Sequence, residues 1–296
     1  MAVDKDLNQP RWRHPGFLLL YSVVATVLAI FLVAVFSAIV RPPLIGWAAV
    51  GAGIGIAAIF VGVYEAFCRL IEGRPASELD FRRAPAELVV GVLGGALLFS
   101  AVVGLIAAFG GYRVVGYQGA SVMLPALGLG IYSGFTEEIV FRGFLMRLTE
   151  KWFGTWAALA ISSILFGLAH LGNNAVGPVA VIAIVEAGLM LGCVYLLTRR
   201  LWAAIAVHAA WNFTQDGIFG IAVSGGRSSG ILRPVISGPD LLTGGPFGAE
   251  ASLPAVIVLA IASAALLYAA WRRGRFVAPL WVRRRGQGAA GAAEQA

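Results

Sequence analysis

Long apolar runs recur along this chain, and their length indicates that it folds in a membrane. A helix that crosses a bilayer needs about 20 mostly apolar residues. Only 12% of the 296 residues are charged, whereas soluble proteins have about 25%. The pattern therefore predicts an all-α, polytopic membrane protein with about eight transmembrane helices around a buried polar cavity. The eight runs lie at residues 17–40, 45–67, 87–109, 124–148, 153–171, 178–197, 201–220 and 254–271.

The segments between these runs are too short or too poor in pattern to form a second domain. We therefore expect one transmembrane domain over residues 1–296. The connection at 69–87 is charged, and the one at 221–253 is rich in Gly, Ser and Pro. The tail at 272–296 is basic and ends in a Gly/Ala-rich stretch, which predicts a disordered cytoplasmic tail.

Lys and Arg residues are distributed unequally between the two sides of the predicted bundle. One side, which includes both termini, carries 17 of them and the other carries 4. Basic loops mark the cytoplasmic side, so both termini are expected there. The Ala/Gly/Arg-rich composition favours a prokaryotic plasma membrane. The basic residues therefore indicate contact with membrane lipid and no nucleic-acid partner, and the sequence leaves the oligomeric state open.

Three ionisable residues interrupt the fourth apolar run: Glu137, Glu138 and Arg142. Each costs about 2.5–3.5 kcal/mol near the bilayer centre. Glu138 and Arg142 are four residues apart on a helix and can form a neutralising structural ion pair. That pair leaves Glu137 without an explanation, so we predict that Glu137 is functional.

Two histidines and an asparagine follow in other apolar runs. His170 lies at the end of the fifth run, while His208 and Asn212 are four residues apart and share one face of the seventh helix. Each histidine alone can be an ordinary hydrogen-bonding group between helices. Together with Glu137, on three separate helices, these residues indicate a site.

Two chemistries suit this set of residues. Glu137, His170 and His208 match the ligands of hydrolytic zinc sites, although the chain has no His-Glu-x-x-His motif. Alternatively, Glu137 is a general base that takes a proton from water, and His170 orients that water. His208 and Asn212 then donate hydrogen bonds to the developing oxyanion.

The depths of these residues do not agree. Counted at 1.5 Å per residue from the predicted inner helix ends, Glu137 lies roughly 16 Å deep, His208 roughly 10 Å and His170 roughly 27 Å. Residues of one site should share one depth. The sequence therefore predicts either a shallow fifth helix or a different helix boundary.

Three short motifs resemble those of the CPBP family of intramembrane proteases, which are related to the CAAX prenyl endopeptidase and to bacterial Abi and bacteriocin-processing proteins. The motifs are Glu137-Glu138-x-x-x-Arg142, Phe166-x-x-x-His170 and His208-x-x-x-Asn212, in a catalytic core at 123–216. The resemblance implies that Glu137 and His170 activate water. It also implies that His208 and Asn212 form the oxyanion hole and that Arg142 is structural. Both a Zn²⁺ metalloprotease and a metal-independent glutamate mechanism remain open.

The sequence thus predicts an intramembrane endopeptidase with CAAX-processing-like activity. Its substrate is expected to be a peptide or protein at the membrane, reached through a cavity that opens toward the cytoplasm. An ion- or proton-coupled transporter is one alternative, because buried ionisable residues also mark transport paths, but no inverted repeat is visible. A non-catalytic immunity or scaffolding protein on the same fold is the other.

Overall fold

A computed structural model describes residues 10–41, 45–228 and 230–285. Within these residues, six helical segments are long and apolar enough to cross a membrane. The chain is therefore an all-α polytopic membrane protein, as predicted. Its helices are α1 (Pro15–Val40), α2 (Gly46–Ala66), α3 (Ala84–Ala108), α4 (Met123–Glu138), α5 (Arg147–Ala169), α6 (Pro178–Thr198), α7 (Leu201–Phe213), α8 (Asp240–Thr243) and α9 (Leu253–Arg272).

Three of these helices continue as π-helices, in which the backbone hydrogen bonds skip one extra residue. They extend α2 through Phe67–Glu72, α4 through Ile139–Met146 and α7 through Thr214–Ile218. Such segments are frequent at functional sites. The second begins directly after Glu138 and contains Arg142.

Each of the eight predicted runs coincides with a helix, but eight membrane crossings are not confirmed. The fourth and fifth runs form one continuous segment of 50 residues, Ala120–Ala169. At 1.5 Å per residue it would be about 75 Å long, more than twice the thickness of a hydrocarbon core. It breaks at Gly154, whose φ of 80° and ψ of 173° are not helical and favour glycine. The segment therefore consists of two limbs.

The outer helices expose their apolar side chains. Only 6% of the apolar window of α1 is buried, and Leu20, Phe31 and Ile39 are among its exposed side chains. Water would not favour so large an apolar surface, whereas lipid does. In contrast, α7 is largely buried and packs against α3, α4 and α6. The helix that carries His208 and Asn212 is therefore the centre of the bundle.

Glycines bring α4 and α7 into close contact. A Cβ atom built on Gly130 would lie 2.7 Å from the carbonyl oxygen of Ala209, and one built on Gly134 would lie 2.8 Å from that of Ile205. A larger residue would push the two helices apart. Gly188 on α6 makes a similar close contact with α5. Small residues four positions apart on a helix are typical of such close helix packing.

The basic segments meet at one end of the bundle, which we name the basic end. Three ion pairs link connections that are distant in sequence: Arg147–Glu72, Arg199–Glu150 and Arg200–Glu87. The start of α1 lies there too, because the His14 ring contacts Trp152 with 5.1 Å between centroids. The segments that were predicted to be cytoplasmic thus share one end. Which side of the membrane this end faces stays a prediction.

Residues 273–285 also pack against the basic end. The Val277 amide donates to Thr155 Oγ1 at 2.8 Å, and the Thr155 amide donates to the Val277 carbonyl at 3.0 Å. The disorder predicted for the tail therefore does not hold for this part, because its backbone completes the bend after Gly154. Residues 286–296 lie outside the described residues.

The opposite end carries a small folded cap in place of the predicted loop. We use the name cap for residues 221–228 and 230–253. Strand β1 (Tyr112–Tyr117) pairs antiparallel with strand β2 (Leu232–Ile236) of the cap. Gln118 Nε2 also donates to the Gly230 carbonyl at 2.9 Å. The cap then forms α8 and two short turns, Gly245–Phe247 and Ala249–Ala251, before α9 begins.

Candidate active site

Glu137, His170 and His208 converge at one point from three helical segments. Glu137 Oε2 lies 3.6 Å from His170 Nε2 and 3.9 Å from His208 Nε2. The three side chains therefore lie at one depth, unlike the depths counted from the sequence. Counted from the break at Gly154, Glu137 lies 17 residues before it and His170 lies 16 residues after it. At 1.5 Å per residue, both residues lie about 25 Å from this break along the helix axis.

The start of α7 explains the depth of His208. A Cβ atom on Gly143 would lie 3.4 Å from Leu201 Cδ1, so the first residue of α7 is level with Gly143 rather than with the break at Gly154. His208 lies seven residues after Leu201, about 10 Å along the helix axis. Glu137 lies six residues before Gly143, about 9 Å along its own axis. The apparent mismatch came from placing the inner end of the fourth helix too close to Glu137.

Glu138 holds two partners. Its Oε1 accepts a hydrogen bond from Arg142 Nη1 at 2.8 Å and lies 2.8 Å from His208 Nδ1. Arg142 also donates from Nη2 to the Gly188 carbonyl at 2.6 Å and lies over the Phe166 ring. Glu138 and Arg142 are fully buried. Spacing along one helix indicated the Arg142 pair, but it could not reveal the contact with His208 on another helix.

These contacts decide which ring nitrogens face Glu137. His170 Nδ1 lies 2.8 Å from the Phe166 carbonyl, which only accepts, so this nitrogen carries a proton. The Glu138 carboxylate, which pairs with Arg142, likewise accepts a hydrogen bond from the N–H at His208 Nδ1. Both Nε2 atoms are left facing Glu137. An Nε2 atom accepts a hydrogen bond when the ring is neutral and donates one when it is protonated.

Asn212 lies one turn beyond His208 on α7. Its Nδ2 donates to Ser133 Oγ at 2.8 Å. Because the amide group has two hydrogens, one remains for another acceptor. Ser133 was missed in the sequence, although its position four residues before Glu137 places both on one face of α4.

A cavity of about 560 Å³ joins these residues, within the range of ligand sites. Its wall is mainly apolar and includes Glu137, His170, His208 and Asn212. The wall also includes Asn173 and three residues of the cap: Val223, Ser224 and Glu250. The cavity therefore adjoins the cap. The cavity was predicted to open toward the cytoplasmic side, where the basic segments are expected. Its contact with the cap, at the opposite end of the bundle, does not agree with this prediction.

Glu250 is the second carboxylate of the cavity wall, and it belongs to none of the motifs that indicated the site. Its Oε1 accepts hydrogen bonds from both the amide and the hydroxyl group of Ser224, each at 2.7 Å. Burial raises the pKa of Glu250 above its usual range, although the two hydrogen bonds from Ser224 act in the opposite direction. Glu250 thus shares the cavity wall with Glu137 and the two histidines.

A metal site here would need the side chains of Glu137, His170 and His208 to hold one ion together. In the ranges that the structure describes, no group of three or more His, Cys, Asp or Glu side chains is arranged to hold one. Two atoms that bind a tetrahedral zinc at about 2.0 Å lie about 3.3 Å apart. The separations of 3.6 and 3.9 Å from Glu137 to the histidines are longer. As arranged, the three side chains do not form this ligand set.

The fold and the site define a class of protein: a polytopic membrane protein with a glutamate and two histidines at the wall of an internal cavity. Residues 119–214, about a third of the chain, match the family model described as type II CAAX prenyl endopeptidase, Rce1-like. This match is consistent with the CPBP family, which the motifs resemble. No curated protein and no solved structure matches the chain. The match supports intramembrane protease activity in general.

Proposed function

We propose that this protein is an intramembrane endopeptidase that cleaves a membrane-associated or membrane-proximal protein with water activated by Glu137. One observation carries the proposal: Glu137 meets the Nε2 atoms of His170 and His208 at a cavity wall, inside the segment that matches a protease family. The substrate is a peptide or protein, and no nucleic acid is involved. We also propose that both termini lie in the cytoplasm of a prokaryotic cell.

Glu137 is the general base of the proposed reaction. Its Oε2 makes no hydrogen bond to any described residue, so its lone pairs are available to a water molecule. His170, fixed through Nδ1, accepts the second hydrogen of that water at Nε2. The water oxygen attacks the peptide carbonyl carbon while its proton moves to Glu137. When the C–N bond breaks, Glu137 returns the proton to the leaving amine.

His208 and Asn212 stabilise the negative charge that develops on the carbonyl oxygen. The Glu138 carboxylate favours a protonated His208 ring, whose Nε2–H then points into the cavity. The free amide hydrogen of Asn212 supplies a second donor. Donors that are fixed before the reaction lower the barrier without reorganising. Glu138 and Arg142 act as positioning residues, because they hold His208 and do not touch the substrate.

The test compares cells that express the wild type with cells that express Glu137→Gln. The amide keeps the size of the side chain but removes the base. Proteome-wide mapping of new N-termini should find membrane-proximal cleavage sites in the wild type that are absent in Glu137→Gln at equal protein abundance. Glu65→Gln is the control, because Glu65 pairs with Arg69 and does not line the cavity. Cleavage that persists in Glu137→Gln, or that is absent from the wild type, would contradict the proposal.

A further inference from the structure

Glu250 lies in the cavity wall but belongs to no motif of the site. It falls outside residues 119–214, the segment that matches the protease family. It lines the same cavity as Glu137 and the two histidines. A contact supplied from outside the shared domain is the kind that distinguishes the substrate of one protein from those of its relatives.

The cap holds Glu250 firmly in this position. Its neighbours Ala249 and Ala251 are both buried, 1% and 4% exposed, so the turn that carries it is packed on either side. Ser224, which donates both hydrogen bonds to it, has a φ of 49°. That conformation is costly for a residue other than glycine, and it persists because the surrounding contacts fix it. Both hydrogen bonds reach Oε1, so Oε2 remains for a ligand.

The charges around the cavity favour a cation. Its two carboxylates are Glu137 and Glu250, none of its lining residues in the described part of the chain is Lys or Arg, and a protonated His208 balances only one of the two negative charges. The nearest buried cation of the site, Arg142, is already paired with Glu138. The two hydrogen bonds from Ser224 offset part of the cost of a carboxylate in this mainly apolar wall, and a partner of opposite charge would offset more of it. A cationic group on the substrate would provide that partner.

We propose that Glu250 determines specificity by binding a Lys or Arg side chain of the substrate close to the peptide bond that is cleaved. This inference rests on the proposed proteolytic function. It names the substrate class as a membrane-proximal segment in which an apolar stretch carries a basic residue. The apolar part of the wall takes the stretch, and Glu250 takes the charge. Glu250 touches the substrate away from the reacting bond and has no part in the proton transfers.

The test uses synthetic apolar peptides of one length that differ at a single position. Each of the four positions on either side of the centre carries in turn Lys, acetyl-lysine or Glu. Acetylation removes the charge of lysine and keeps most of its shape. For the wild type, we expect kcat/KM for Lys to exceed that for acetyl-lysine by about tenfold at one or two positions, equivalent to about 1.4 kcal/mol. Glu250→Gln should reduce this ratio to about one.

Two variants keep this result interpretable. Glu250→Gln retains an oxygen that accepts the Ser224 hydrogen bonds, so its melting temperature should stay close to that of the wild type. Asp240→Asn removes an exposed carboxylate from the same cap and should leave the Lys preference intact. A Lys preference that survives in Glu250→Gln, or one that Asp240→Asn abolishes equally, would overturn the proposal.

A binding measurement separates this proposal from the proposed activity. The Lys and acetyl-lysine peptides are titrated against Glu137→Gln and against Glu137→Gln/Glu250→Gln. We expect about tenfold tighter binding of the Lys peptide to the first variant and equal binding of both peptides to the second. If the wild type cleaves no peptide but this difference is found, the proposed activity fails and the Glu250 site stands. Equal binding of both peptides to Glu137→Gln would overturn the Glu250 site.

Discussion

At the residue scale, Glu137 and Glu138 are adjacent in sequence but face different partners. Glu138 is shared between Arg142 and His208, whereas Glu137 faces the cavity. Glu138→Gln should leave the buried charge of Arg142 unpaired and destabilise the fold by about 3–5 kcal/mol. Its folded yield, measured by size-exclusion chromatography in detergent, should fall well below that of Glu137→Gln. Equal yields for the two variants would mean that Glu138 is not needed to neutralise Arg142.

Asn212 tests the proposed oxyanion hole. Asn212→Ala removes a donor that acts mainly in the transition state, so kcat should fall by about 10²–10³ with little change in KM. Ser133→Ala is the matched control, because it removes only the partner of Asn212 and should cost much less. Kinetics per folded molecule on one cleaved peptide provide the measurement. A normal kcat for Asn212→Ala, with the loss confined to yield, would make Asn212 structural.

Removal of metal distinguishes the two mechanisms that the sequence leaves open for Glu137. Because the Glu137, His170 and His208 side chains as arranged do not form a metal ligand set, we expect activity to survive chelation. Active protein is dialysed against a chelator, and its zinc content and kcat are measured on the same sample. A bound zinc ion would be tied to the stability of the fold, so the melting temperature is a further readout. Stoichiometric zinc whose removal abolishes cleavage would make the three side chains metal ligands.

At the scale of helices, the site depends on the close contact between α4 and α7. Gly134→Ala places a Cβ atom 2.8 Å from the Ile205 carbonyl, so α4 must move away from His208. We expect a loss of about 1–3 kcal/mol in the free energy of unfolding and lower activity in the folded fraction. Gly104→Ala on α3, where a Cβ atom meets nothing within 4 Å, should be neutral or slightly stabilising. Similar losses in both variants would point to helix propensity rather than to the contact.

The helices and the four residues at 137, 170, 208 and 212 could be predicted because apolar runs and intramembrane polar groups are strong local signals. The relative heights of the residues could not. They depend on the break at Gly154, where a φ of 80° is combined with contacts to residues 277–279. The sequence has 38 glycines, and nothing in it indicates that Gly154 adopts this conformation. Glu250 escaped for a similar reason, since its place in the wall depends on how the cap folds.

At the scale of the whole molecule, the bundle has two unlike ends. The basic end gathers ion pairs and both described chain ends, whereas the cap closes the other end and forms part of the cavity wall. If the basic end faces the cytoplasm, as the distribution of Lys and Arg predicts, the cavity lies nearer to the outer face. The proposed substrate would then present its basic residue on that side.

Cysteine labelling can test this arrangement directly. The two native cysteines, Cys68 and Cys193, are fully buried, so they should give little background. Asn173→Cys introduces a thiol at the cavity wall beside the cap, and Arg82→Cys introduces one at an exposed position of the basic end. In right-side-out spheroplasts, a membrane-impermeant maleimide should label Asn173→Cys. Arg82→Cys should react only after permeabilisation.

The control is labelling of each variant after unfolding in detergent, which shows that both thiols can react. The reverse pattern in intact spheroplasts would place the basic end outside and the cavity on the cytoplasmic side. Labelling of both thiols before permeabilisation would mean that the two ends are not separated by the membrane. An outer-facing Asn173 would also restrict the substrate, because its cleaved segment would have to lie in or near the outer leaflet, within reach of Glu137 and Glu250.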